Sequence, residues 1–420
     1  MRIFKLNRHQ ILYLLFSLSV AYCRAQNQET GFFLTAFSNR LDSIERNIPN
    51  IIKAAEAAAK RTIAHTNMLI DVPYGIQPSF AEEMVNRAGC LANALPSVER
   101  PSLITSNDVV LLSVRSWEKD KENIVKEAKQ CHEKKHMIIL FASIAGMPED
   151  INADFLIDNF SPEETAYWAP LNAVINVLNG WLWTCEYTSA LTRHGKHPGI
   201  LQSILEPNGQ AHNSQIQSPV TRRLLFPCDK PIEQGKLARA YIAQVRKITA
   251  ETGNQATLYD IKKASEILVS HFLAGGRAGV AAATHILLSE IFHDNKSPWK
   301  PFNVVWHATT AFKENLSTNH ILVWFSAVGI STPLEDYNKY IKETGVRCIT
   351  CFIKDPSNAT NNDTGRTLHH IEPAWRLPDS SVEIPFPPGK MAPVSGINQG
   401  LLYRMLDETV SEELAQKQKK

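Results

Sequence analysis

Residues 107–143 read NDVVLLSVRSWEKDKENIVKEAKQCHEKKHMIILFAS. An unbroken apolar run gives way to a Ser-bearing turn, then to apolar positions at helical spacing, then to a second apolar run. That rhythm predicts strand, turn, amphipathic helix, strand. Residues 319–352, NHILVWFSAVGISTPLEDYNKYIKETGVRCITCF, repeat it. Ser113 and Ser326 end the first strand of each copy, and Phe141 and Phe352 close the second. A pattern stated twice constrains the fold strongly, because each copy must make sense as the same unit.

The rest of the chain extends both copies. Residues 29–65 are Ala-rich with helical periodicity, and MLIDV (68–72) predicts a short strand. PYGIQPS is a loop, FAEEMVNRAG (80–89) a helix ended by Gly89, and ADFLIDN (153–159) another strand. Residues 171–195 are apolar nearly all round, which predicts a buried helix. Its Trp181 and Trp183 suit a homodimer interface or internal packing of a two-unit chain. The stretch 205–232, rich in Pro, Asn, Gln and Ser, reads as a linker. Helices then fill 233–272, GGRAGVAAA (275–283) predicts a strand and THILLSEIF (284–292) a helix. SSVEIPF (380–386) stands in the place of ADFLIDN, and a shorter helix over 397–410 in the place of 171–195. Strands alternating with helices predict parallel βαβ units and the α/β class. The expected division is 26–204, linker 205–232, 233–410, and a polar tail over 411–420.

Composition narrows the class. Hydrophobic residues make up 44% and charged residues 20% of 420, the balance of a globular protein. The formal net charge of +2 is no footprint for nucleic acid. Arg2, Lys5 and Arg8 precede an apolar run from Ile11 to Tyr22, the pattern of a signal peptide over 1–25 cut after Ala25. Cutting there leaves 40 basic against 42 acidic residues, and no later stretch is long and apolar enough to cross a membrane. Export to a periplasmic or extracellular space is the expectation, with lipid anchoring at Cys23 the less favoured variant because Tyr22 is a poor match before it. Six cysteines follow residue 25. Cys348 and Cys351 have CxxC spacing inside a predicted strand, where side chains three apart face opposite ways. They read as small buried hydrophobes. The sequons at Asn315, Asn358 and Asn362 mark surface loops if the host glycosylates.

Several segments carry a family resemblance. KAAEAAAKRTIAHTNMLIDV, SFAEEMVNRAG, DVVLLSVRSW, and ADFLIDN with LNAVINVLNGW resemble successive elements of a sugar isomerase (SIS) unit, and AGGRAGVAAATHILLSEIF resembles the opening of a second. The chain is similar to a tandem SIS protein of the phosphosugar-binding superfamily over roughly 30–205 and 235–410. The resemblance implies two three-layer α/β/α units, each with a parallel sheet of about five strands. It also implies a site at the carboxyl ends of the strands, where ligands lie in open α/β sheets generally. There hydroxyls and the N–H groups of helix N-termini would hold a sugar phosphate.

On that basis Ser113 and Ser116 stand where the family has its two serines, with Trp117 in place of the family's glycine. Ser116 would equally cap the helix that follows. In the second copy Ser326 is followed by Gly329, Ser331 and Thr332, which are ligand donors or a cap before Pro333. Ser79 corresponds to Thr284 and His285, and Ser143 follows the second strand of the first copy. Ser203, His212 and Asn213 form a polar cluster that either joins the ligand site or is simply a polar loop. Isomerisation needs a base near C1–C2 and a ring-opening acid. Glu83, Glu290 and His285 are the candidates, with Glu82 beside them, and a solvated helix face explains the glutamates equally well. G-x-S-x-G, P-loop, H-E-x-x-H and Rossmann patterns are absent, and no cofactor or metal is implied. The expected function is an exported SIS-type protein binding a sugar phosphate or amino-sugar derivative, with aldose–ketose isomerase-like activity. The alternative is a non-catalytic carbohydrate-binding or interaction module with a degenerate site.

Overall fold

The computed structural model describes residues 31–65, 69–85, 87–96, 108–162, 167–204, 206–283, 316–328, 341–354, 365–376 and 379–418. The leader 1–25, the helix expected over 284–292 and the sequons at Asn315, Asn358 and Asn362 lie outside them.

Two helices open the chain, α1 (Phe32–Arg46) and α2 (Ile48–Ala64), divided at Asn47. The first sheet contains β1 (Ile70–Asp71), β2 (Ala94–Leu95), β3 (Val109–Ser113), β4 (Met137–Ala142) and β5 (Phe155–Asp158). All pairings are parallel, in the order β2-β1-β3-β4-β5. Every residue of β3 is buried, so the unbroken apolar run is that of a parallel strand covered on both faces. Val110, Leu112, Ile138 and Leu140 pack outward against α4 (Trp117–Glu133), whose Trp117, Ile124, Ala128 and Cys131 form its apolar stripe. Val109, Leu111, Ile139 and Phe141 pack inward.

The inward face meets α3 (Pro78–Met84) and α5 (Ala169–Arg193). Helix α5 is buried from Leu171 to Thr192, as its all-round apolar pattern predicts, and it packs inside the chain against α2 and α3. A Cβ on Gly180 would stand 2.8 Å from both Met84 Sδ and the Phe80 ring, so only glycine allows α3 this close. Helix α3 ends at Met84 because Val85 turns extended, five residues before the end expected at Gly89.

Residues 205–232 are more ordered than a linker pattern suggests. They contain α6 (Gly209–Ile216) and β7 (Leu225–Pro227), which pairs antiparallel with β6 (Lys196–Pro198). Helices α7 (Lys236–Thr252) and α8 (Gln255–Leu273) follow.

The second sheet holds β8 (Arg277–Ala283), β9 (His320–Val328), β10 (Arg347–Ile353) and β11 (Thr367–Ile371), again all parallel, in the order β11-β10-β9-β8. The edge strand after β10 is therefore Thr367–Ile371. The segment expected there, 380–386, instead supplies β12 (Ser380–Glu383), an antiparallel hairpin with β13 (Lys390–Pro393). Alternation alone did not separate the two, because each carries only a few apolar positions. The closing helix α9 (Ser395–Gln418) has 24 residues against 25 in α5, so it is no shorter copy. Val410 is fully buried and Glu413 nearly so, which carries the helix into the stretch expected as a polar tail.

One continuous apolar cluster joins the inner faces of both sheets through α2, α5, α7, α8 and α9. The chain is α/β, with two parallel sheets about a shared helical interior. Cys348 and Cys351 are buried in β10, Cys351 toward that interior, and all six cysteines after residue 25 are free thiols. No helix among the described residues is long and apolar enough to cross a membrane.

Candidate functional site

The carboxyl ends of β3, β4 and β5 gather four of the expected residues. Ser79, Ser113, Ser116 and Ser143 are all at least 96% buried. Ser113 Oγ donates to Gln77 Oε1 at 2.5 Å, and Gln77 Nε2 donates to Ser79 Oγ at 3.0 Å and to the Ala173 carbonyl at 3.1 Å. Gln77 thus joins the two serines as a ligand would, but from within the protein.

Helix α5 completes the seal. Asn172, Asn176 and Asn179 lie on one stripe of it, four and three residues apart. Asn172 Nδ2 donates to the Arg115 carbonyl at 2.8 Å, Asn176 Nδ2 to the Val114 carbonyl at 2.8 Å, and Asn179 Nδ2 to the Asp158 carbonyl at 3.0 Å. Strand-end carbonyls that would otherwise be orphaned are satisfied by this ladder. Asn176 also donates to Gln77 Oε1 at 3.1 Å and accepts from Asn159 Nδ2 at 3.1 Å.

The turn between β3 and α4 carries its own anion. Ser116 occupies the N-cap position of α4, yet its hydroxyl makes no cap bond. Asp120 Oδ2 instead accepts from the Arg115 and Ser116 N–H groups at 3.3 and 3.4 Å, and Arg115 pairs with Asp120 at 3.6 Å. A carboxylate sits where the resemblance expects a phosphate. Trp117, in the place of the family's glycine, is buried in the outer core and donates its indole N–H to the Ser143 carbonyl at 2.9 Å. On either side of it the Ser116 and Ser143 hydroxyls are buried and make no hydrogen bond to a described residue.

Glu83 is fully engaged. It forms a buried ion pair with Arg87 and accepts from Trp181 Nε1 at 3.3 Å. Arg87 reaches Asp379 at 3.1 Å and the Ser395 hydroxyl, so this cluster ties α3 to the start of α9. Burial pushes the Glu83 carboxyl above its ordinary range, against the pull of Arg87. A Cβ on Gly396 would come 2.7 Å from Glu83 Oε1, so α9 lies directly against the carboxylate. Glu82 is half-buried beside it.

The polar cluster beyond the first sheet holds its own loop together. Asn213 exchanges two 2.8 Å bonds with the Gln202 backbone, and His212 Nε2 meets the Ile200 carbonyl at 2.9 Å. Ser203 lines a separate cavity with Glu206, Ser380 and Lys390. In the second sheet Ser326 is buried in β9 opposite Ala283 of β8. Thr284, His285, Glu290, Ser331 and Thr332 lie outside the described residues. Gln77, Asp120 and the asparagine stripe escaped the sequence reading. The stripe was the available signal, since three asparagines share one face of an otherwise apolar helix.

No protein-family model and no curated protein matches the sequence. Among solved structures, the C-terminal domain of glucosamine-fructose-6-phosphate aminotransferase from Francisella tularensis is similar over 90% of this chain and 94% of its own, with 10% identity and a TM-score of 0.49. Tagatose-6-phosphate ketose/aldose isomerase from Escherichia coli is similar over 93% and 94%, with 13% identity and a TM-score of 0.47. These are likenesses in the course of the backbone, too distant in sequence to carry over the role of any residue.

Proposed function

We propose that this is an exported, tandem SIS-type protein that binds a sugar derivative at the carboxyl rim of its first sheet without isomerising it. The observation that carries the reading is the pair of buried hydroxyls, Ser116 and Ser143, on either side of Trp117. Buried donors without partners are costly, and a polyhydroxylated ligand reaching them would satisfy both. Asp120, paired with Arg115, already fills the anion position at this turn. A phosphate at the α4 N-terminus would face a carboxylate already bound to the same N–H groups, so an amino sugar is favoured over a sugar phosphate there. Glu83 is ion-paired to Arg87 and buried under α9, out of reach of a substrate carbon, which favours binding over turnover. Ser326 keeps a second reading open for the other sheet, where it is buried in β9 two residues before that strand ends. With Ser331 and Thr332 it would supply hydroxyls for a sugar phosphate.

A thermal-shift panel on the mature chain with glucosamine, N-acetylglucosamine, glucosamine 6-phosphate and glucose 6-phosphate tests both. At about 100 times Kd a ligand stabilises the fold by about 2.7 kcal/mol. The expected result is a rise in Tm with an amino sugar, lost in Ser116→Ala with Ser143→Ala, and no isomerisation of any sugar. Turnover of a hexose phosphate would overturn the reading. A shift confined to the phosphates and lost in Ser326→Ala with Ser331→Ala would move the site to the second sheet.

A further inference from the structure

The first sheet ends on a second carboxylate, one strand away from the turn that holds Asp120. Asp158 is the last residue of β5 and stands in register with Ala142 of β4. Side chains two apart on a strand share a face. Leu156, two residues before Asp158, packs against the outer cluster that contains Ala142 and Trp117. Asp158 therefore projects from the face of the sheet that α4 covers.

One peptide unit joins this carboxylate to the neighbourhood of the buried hydroxyls. The Ser143 carbonyl accepts the Trp117 indole N–H at 2.9 Å. The N–H of the same peptide, on Ile144, donates to Asp158 Oδ1 at 3.2 Å. The C=O and N–H of a trans peptide point opposite ways. Trp117 and Asp158 thus flank the Ser143–Ile144 peptide from its two sides, and Asp158 lies next to Ser143.

The two carboxylates of this rim are compensated differently. Asp120 is paired with Arg115 and takes two N–H groups of its turn. Asp158 also takes two N–H groups, from Ile144 and Phe160 at 3.2 and 3.0 Å, but both fall on Oδ1. Among the described residues no lysine, arginine or histidine pairs with it, and Oδ2 accepts no hydrogen bond. The side chain is half-buried, which leaves Oδ2 open to a solute. Its direction is fixed as well. Phe160 has φ 56, a left-handed backbone that a bulky residue rarely adopts, and the bond to Asp158 Oδ1 holds it there.

We infer, resting on the sugar-binding reading above, that Asp158 is the residue that selects the ligand's amine. Oδ2 accepts from the ammonium of an amino sugar whose hydroxyls meet Ser143 and Ser116. A carboxylate fixed in direction and lacking a cation of its own makes a charge-assisted hydrogen bond with that ammonium. Acetylation of the amine removes the charge and two of its three donors, and it leaves Oδ2 without a cation. The ligand class is therefore the unsubstituted amino sugar, and its N-acetyl form is discriminated against.

Titration calorimetry on the mature chain with glucosamine, N-acetylglucosamine and glucose tests this. Glucosamine should bind about tenfold more tightly than the other two, and high salt should reduce that advantage. Asp158→Asn keeps an acceptor for the Ile144 and Phe160 N–H groups and removes the charge. It should bring glucosamine down to the level of glucose and leave glucose itself unchanged. Equal binding of the three sugars by the parent chain overturns the inference and leaves the sugar site standing, and this comparison needs no variant to fold. A preference that survives in Asp158→Asn overturns it too, as does an equal loss for all three sugars, the mark of a residue that only holds its turn. Failure of every sugar to bind, or binding unchanged in Ser116→Ala with Ser143→Ala, overturns the sugar-binding reading and this inference together.

Discussion

Single side chains in this protein place ionisable groups where burial changes their titration. Glu408 on α9 accepts from the Gly31 and Phe33 N–H groups at 3.4 Å, at the N-terminus of α1. Burial raises its carboxyl from 4.5 to about 7, despite those donors. The native state therefore holds a proton that the unfolded chain has already released between these values, and stability falls as pH rises through that window. Glu408→Gln keeps an acceptor for both N–H groups and removes the titration. Its Tm relative to the parent chain should rise steadily from pH 4.5 to 7 and level off above. A flat difference between the two across that range would show that Glu408 does not titrate there.

At the scale of elements, α5 does two jobs with one sequence. Its apolar residues fill the interior between the two sheets, and its asparagine stripe satisfies the strand ends of the first. Asn176→Leu keeps the volume and strands the Val114 carbonyl. The expected loss is about 1–3 kcal/mol in urea unfolding at unchanged m. The same stripe explains why the first sheet's inner rim is closed. An open α/β sheet usually leaves that crevice for a ligand, and here Gln77 and three asparagines take it. The amphipathic period of α4 was readable in advance, but Asp120 was not readable as its cap. A carboxylate four residues into a helix is ordinary in sequence, and only the turn's geometry brings it back onto the Arg115 and Ser116 N–H groups.

For the whole molecule, the decisive feature is that the two sheets share one interior. The Arg87 cluster joins α3 to Asp379 and Ser395 across that interior. Arg87→Ala leaves two carboxylates, Glu83 and Asp379, without their cation, at an expected cost of about 3–5 kcal/mol. Since the apolar cluster is continuous, denaturant should still unfold both sheets in one transition, shifted to lower concentration. Two separated transitions in the parent chain would mean that the halves fold independently.

The sequence by itself determined the long helices and the parallel sheets, because helical and strand periods are local properties of neighbouring residues, but it missed the helix and strand inside 205–232. It also marked α5 as buried and placed Ser113 at the end of β3, but β9 runs on past Ser326 to Val328. It misassigned the last edge strand and the length of the final helix, where short apolar runs fit more than one partner. Only the tertiary structure decided which hydroxyls are satisfied from within and which are not. Those contacts join residues up to about a hundred positions apart, Gln77 to Ser113 and to Asn176, and no local pattern records a partner that distant.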